Sequence, residues 1–166
     1  MIHFVVMGVA GCGKSTVAEA IAGRFQLPCI EGDALHDPAS IEKMSRGEAL
    51  TDADRWPWLE RIGEHLAQSD VSVVISCSAL RKVYRDRIRL KAGSTVAFIH
   101  LAADQSVIAG RMAKRTGHFM PVSLLSSQFN TLESLSDDET GVTIDIAQSL
   151  EQVLVDSARY VERALT

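Results

Sequence analysis

Apolar positions along the chain follow two rhythms. Short runs rich in Val and Ile are separated by longer stretches with an apolar residue at every third or fourth position. Ile2–Met7 is the first run and reads as a strand buried on both faces. Thr16–Phe25 follows as a helix, with Val17, Ala18, Ile21, Ala22 and Phe25 on one face. Pro28–Glu31 is predicted as a second strand, ended by Gly32. Asp37-Pro38 reads as an N-cap with proline at the first helical position, and Gly47 closes that helix. Thr51 is a candidate cap for the next helix, which runs to about Ser69, although Pro57 leaves its start open between Thr51 and Trp56. Val71–Cys77, Thr95–Leu101 and Val142–Ile146 are three further strands. Helices are predicted over Arg81–Leu90, Gln105–Lys114, Ser123–Leu132 and Gln148–Leu165, with Thr116–Pro121 as a loop. Five short strands separated by helices imply an α/β fold, an open, mostly parallel sheet with helices on both faces. Ligands of such sheets bind outside the carboxyl ends of the strands, which points to Gly8–Thr16, Glu31–His36, Cys77–Arg85 and the chain after Leu101.

Composition narrows the class. A chain of 166 residues suits a single domain, and about two-thirds of its extended surface can be buried without a disulfide or metal staple. With 46% apolar and 23% charged residues it is neither disordered nor collagenous. Seventeen basic against 21 acidic residues give a net charge of −4, which argues against a broad nucleic-acid-binding face. No apolar run approaches the roughly 18–20 residues of a membrane span, and the first residues lack the basic start of a signal peptide. A soluble, cytosolic protein is expected. Cys12, Cys29 and Cys77 are far apart, show no C-x-x-C, and read as small hydrophobes of a reducing compartment. Cys12 differs in lying in a glycine-rich loop before a helix, where a thiolate is favoured.

That loop carries the strongest chemical signal. Gly8-Val9-Ala10-Gly11-Cys12-Gly13-Lys14-Ser15 matches G-x-x-x-x-G-K-[ST] and sits directly between a predicted strand and an amphipathic helix ending its pattern at Phe25. Glycines allow the backbone N–H groups to turn inward around phosphate, and the helix N-terminus adds partial positive charge. In this arrangement Lys14 reaches the β- and γ-phosphates, Ser15 holds Mg²⁺, and Thr16 begins the helix. The chain is therefore expected to bind a nucleoside triphosphate with Mg²⁺ on a three-layer phosphate-loop fold.

What it does with the phosphate has to be read elsewhere. No N-K-x-D-type base-reading motif is present, and Asp138-Glu139-Thr140-Gly141 has D-x-x-G spacing only within a polar loop. The third strand ends in Ser76-Cys77-Ser78 and not in a Walker-B acid. The acids nearest the loop in topology are Glu31 and Asp33, which favours a kinase for a small acceptor over a switch or motor.

Longer segments are more specific. Glu31-Gly32-Asp33-Ala34-Leu35-His36, Ile41-Glu42-Lys43-Met44, and Asp52-Ala53-Asp54-Arg55-Trp56-Pro57-Trp58-Leu59 are one group. Cys77-Ser78-Ala79-Leu80-Arg81-Lys82-Val83-Tyr84-Arg85, Arg111–Phe119 and Ser127-Gln128-Phe129-Asn130-Thr131-Leu132-Glu133 are another. Over nearly its whole length the chain resembles the gluconokinases, phosphate-loop kinases related in fold to shikimate and adenylate kinases. The resemblance implies transfer of the γ-phosphate of ATP to D-gluconate, giving 6-phosphogluconate, in a protein that pairs as a homodimer. Rivals are a kinase for another small acceptor, such as shikimate or a nucleoside monophosphate, and a nucleotide-binding regulator without turnover.

Candidate site residues follow. Asp33, at a strand's carboxyl end, is expected to grip the acceptor hydroxyl and take its proton, and Glu31 to hold the metal through water. Arg81 and Arg85 begin the helix after the third strand; one of them, with Arg55 as a further candidate, is expected to bind the sugar-acid carboxylate. Arg111 and Arg115 share a helix face leading into Thr116-Gly117-His118-Phe119, and the resemblance implies contacts with adenine or the transferring phosphate. His36 is a candidate polyol ligand and His118 a weaker lid contact. Residues 111–127 are expected to form a small lid hinged at Gly117. Trp56 and Trp58 are expected to pack and not to stack on sugar.

Overall fold

The computed structural model describes residues 1–114 and 122–166. Five parallel strands form one sheet: β1 (Ile2–Met7), β2 (Cys29–Glu31), β3 (Val74–Ser76), β4 (Thr95–Ala102) and β5 (Gly141–Asp145). Their spatial order is β2-β3-β1-β4-β5. Among the described residues seven α-helices connect and cover them: α1 (Lys14–Phe25), α2 (Pro38–Ser45), α3 (Asp52–Ala67), α4 (Lys82–Ala92), α5 (Gln105–Ala113), α6 (Val122–Thr131) and α7 (Leu150–Leu165). Among the described residues no helix is long and apolar enough to cross a membrane.

β1 shows why its run is unbroken. It lies between β3 and β4, with Val5 opposite Ile75 on one side and Phe98 on the other. Phe4 and Val6 pack with Val17, Ile21 and Val161 on the α1/α7 side. Val5 and Met7 pack with Leu59, Ile62, Tyr84 and Ile88 on the α3/α4 side. Alternate side chains enter two cores, so a polar residue on either face would be stranded. β1 is also where the strand order reverses direction, and a crevice opens beyond its carboxyl end.

Three boundaries take their positions from the structure, one of them against the sequence reading. The third strand begins at Val74 and not Val71, because the Val73 N–H donates to His3 Nδ1 at 3.2 Å and Val71 is exposed. A capping box places the start of α3 at Asp52: Thr51 Oγ1 accepts the Asp54 N–H, and an Asp54 carboxylate oxygen accepts the Thr51 N–H. Pro57 is then inside the helix, where it forgoes one backbone bond. Finally, β2 is ended by Gly32, as the sequence reading has it, and runs directly into a 3₁₀ turn, Gly32–Leu35. Gly32 is obligatory there, since a Cβ would lie 2.2 Å from the Ser76 carbonyl oxygen.

Candidate active site

The phosphate loop joins β1 to α1. Gly13 caps α1 with φ +93°, a conformation that L side chains rarely adopt, and Lys14 and Ser15 open the helix. Val9 and Cys12 point inward and are buried. Burial raises the Cys12 thiol above its ordinary pKa, against the opposing pull of Lys14, so Cys12 is a packed thiol and not the thiolate its loop position favours. Lys14 Nζ donates to the Val9 carbonyl at 3.0 Å, leaving its other donors for a ligand. Ala10, Gly11, Gly13, Lys14, Ser15 and Thr16, with Glu31 and Asp33 opposite, line a cavity of about 200 Å³.

Glu31 stands at the end of β2 and is held from two sides. Ser15 Oγ donates to Oε2 and Ser76 Oγ to Oε1, each at 2.5 Å. The acid absent from the end of β3 is thus supplied from the adjacent strand, with a buried β3 serine fixing its orientation. Ser76 escaped the sequence reading because a serine at a strand end has no signature. Its pairing in register with Glu31 is a property of the sheet.

A second cavity of about 180 Å³ adjoins the first and shares Ala10, Lys14 and Asp33 with it. His36, Arg55, Trp58, Ser78 and Gln128 also line it. Trp58 is a core residue, with Nε1–H donating to the Gly32 carbonyl at 2.8 Å, and His36 stacks on it at a centroid distance of 4.0 Å. Burial lowers the His36 pKa although Asp33 and Asp37 pull the other way. A neutral imidazole beside an exposed carboxylate suits hydroxyl groups of a polyol.

The three arginines proposed for a carboxylate have different surroundings. Arg55 lines the second cavity and bonds the Tyr84 hydroxyl at 3.0 Å. Arg81 lines neither cavity; its guanidinium pairs with Asp52 at 2.9 Å and Glu133 at 3.6 Å. Arg85 is not brought to the site. It is fully buried on α4, with Nε and Nη2 donating to Glu139 at 2.7 and 2.8 Å and its remaining donors spent on the carbonyls of Ala79, Leu80, Glu133 and Ser134. A helical period places Arg81 and Arg85 on one face, but here that face turns inward against the chain leading to β5. Arg85 contributes at a distance, by holding the Ala79 turn, whose φ of +42° is strained for a non-glycine residue, beside cavity-lining Ser78 and Leu80.

Arg111, in the last turn of α5, donates to the Ile146 carbonyl after β5 and lines neither cavity. Arg115, Gly117 and His118 lie outside the described residues, as does most of the connecting stretch of the expected lid. Among the described residues no three His, Cys, Asp or Glu side chains cluster as a metal site.

Residues 4–135 match a family described as an AAA domain. A gluconokinase of Gluconobacter oxydans is 42% identical over 161 residues, covering 95% of this chain and 90% of its own. The thermoresistant gluconokinase of Escherichia coli is 39% identical over 164 residues, covering 96% and 93%. A solved gluconokinase structure from Sinorhizobium meliloti matches with a TM-score of 0.91 and 51% identity, covering 98% of this chain and 92% of the other.

Proposed function

Because the chain belongs to the gluconokinase family, we infer that it transfers the γ-phosphoryl group of ATP to the 6-hydroxyl of D-gluconate. The products are ADP and 6-phospho-D-gluconate. The observation that carries this reading is the pair of adjoining cavities that meet at Lys14 and Asp33. One is walled by the phosphate loop; the other offers a carboxylate, a neutral imidazole, an amide and a guanidinium, a set suited to a hydroxylated acid.

In this reading the phosphate loop and Lys14 grip the β- and γ-phosphates, and Asp33 orients the acceptor hydroxyl and accepts its proton. The transition state is loose, so positioning and charge neutralisation contribute more than proton removal. Arg55 is the carboxylate ligand, since among Arg55, Arg81 and Arg85 it alone lines the acceptor cavity. Met112 packs close to Gly11 of the phosphate loop, and in this reading its neighbour Arg111 serves the nucleotide. The Ser15 hydroxyl and Glu31 carboxylate are hard oxygen donors, and so few protein ligands fit Mg²⁺, which keeps waters and takes phosphate oxygens. When bound, that ion neutralises charge between the β- and γ-phosphates.

The test is coupled ADP release over a panel of gluconate, other sugar acids, shikimate and nucleoside monophosphates. Turnover with gluconate is expected. Turnover only with another acceptor makes the protein a different small-molecule kinase, and nucleotide binding without turnover makes it a regulator.

A further inference from the structure

Gln128 stands on α6 and reaches a partner 118 residues away: its Oε1 accepts the Ala10 N–H of the phosphate loop at 2.6 Å. A backbone N–H can only donate, so the oxygen end of the amide must face Ala10. The planar group then carries Nε2 away from Ala10, and among the described residues that nitrogen has no hydrogen-bond acceptor. Gln128 lines the acceptor cavity with Asp33, His36 and Arg55, while Ala10 lines both cavities. One amide therefore spans the boundary between the two.

Anchoring of α6 does not need this bond. Leu125 is buried in the core, Gln105 Nε2 donates to Ser126 Oγ at 2.9 Å, and just beyond the helix the Glu133 N–H donates to the Leu80 carbonyl at 2.7 Å. Moreover, a polar side chain chosen only to plug a loop N–H would not require a second, directed donor.

We propose that Gln128 is an acceptor-binding, specificity-determining residue: Nε2 donates to a hydroxyl of the acceptor while Oε1 holds the phosphate loop. Acceptor and loop are thereby registered through a single rigid group, with no torsion between the two hydrogen bonds. This rests on the kinase reading above. A site built around a fixed donor discriminates against acceptors lacking the matching hydroxyl, because the donor is then left unpaired.

Two variants separate the roles of the amide. Gln128→Met keeps the length and removes both bonds. Gln128→Glu keeps an acceptor for the Ala10 N–H, removes the donor, and serves if the first variant fails to fold. Each is assayed with gluconate and with gluconates lacking one hydroxyl in turn, and ATP affinity is measured separately by displacement of a fluorescent nucleotide. Both variants should raise the KM for gluconate about tenfold or more, with the ATP Kd of Gln128→Met within about threefold of wild type. For one deoxy acceptor, wild type and Gln128→Met should converge, since the hydroxyl that Nε2 serves is already gone. A gluconate KM within about twofold of wild type in the folded variants would overturn the proposal. So would an equal loss for every deoxy acceptor, or a loss confined to ATP binding. Wild type is run first over the acceptor panel: failure on gluconate alone defeats the gluconate assignment and leaves a kinase for another acceptor, and Gln128 is then tested on deoxy forms of whichever acceptor is turned over.

Discussion

Lys14 and Arg85 are both cations close to the carboxyl edge of the sheet, yet their circumstances are opposite. Lys14 is tied to one carbonyl and projects where two cavities meet. Arg85 has every donor occupied and is fully buried against Glu139. Burial alone would raise the Glu139 pKa, but the Arg85 guanidinium, the Ser136 N–H and Arg89 outweigh it and hold the carboxyl at about 2. A cation is available to a substrate only when the protein leaves its donors unspent, and sequence neighbourhood does not reveal which case applies.

The largest expected effect tests the buried side. Arg85→Met should cost about 3–5 kcal/mol in urea denaturation, because it strands the Glu139 carboxylate in the interior. Replacing both partners with apolar residues should recover most of that loss. A single variant as stable as wild type would show that the pair is not buried in solution.

Acid probes the same region. His100 is buried, neither ring nitrogen has a partner among the described residues, and burial, aided by the charge of Arg85, lowers its pKa from 6.5 to about 4. Between those values the unfolded chain takes up a proton that the folded chain refuses. Stability therefore falls as pH drops from about 6.5 to about 4, by on the order of 3 kcal/mol. Glu139, depressed from 4.5 to about 2, adds a further loss below pH 4.5 for the same reason of sign. Denaturation midpoints across pH 4–7 check this, and His100→Leu should flatten the upper part of the curve.

On the exposed side, Lys14→Ala should lower turnover at least about a hundredfold while the melting temperature stays within a few degrees. Activity within about tenfold of wild type would remove Lys14 from its assigned role. Asp33→Asn should reduce kcat roughly tenfold to a hundredfold with ATP affinity nearly unchanged. Collapse of ATP binding with normal gluconate saturation would instead assign Asp33 to the metal shell. The smallest effect is expected from Ser76→Ala, which leaves Glu31 with one of its two hydroxyl partners. The Mg²⁺ concentration at half-maximal stimulation of ADP binding, measured calorimetrically, should rise about threefold to tenfold. No change would make Ser76 a packing residue only.

The amino-acid sequence by itself determined the alternation of strands and helices, the phosphate loop and the family. Each is written locally: buried strands need unbroken apolar runs, helices need a period near 3.6, and a phosphate cradle needs glycines at set offsets before Lys14 and Ser15. The capping box of Thr51 and Asp54 was only half visible, because Pro57 obscured the start of α3. Tertiary structure alone decided how the arginines divide, with Arg55 in the cavity, Arg81 paired to Asp52 and Arg85 consumed by the interior. It alone brought Ser76 to Glu31 and Gln128 to Ala10, across 45 and 118 residues. Those contacts depend on strand order and on which face of a helix meets the sheet, and neither is encoded in the spacing of residues along a single segment.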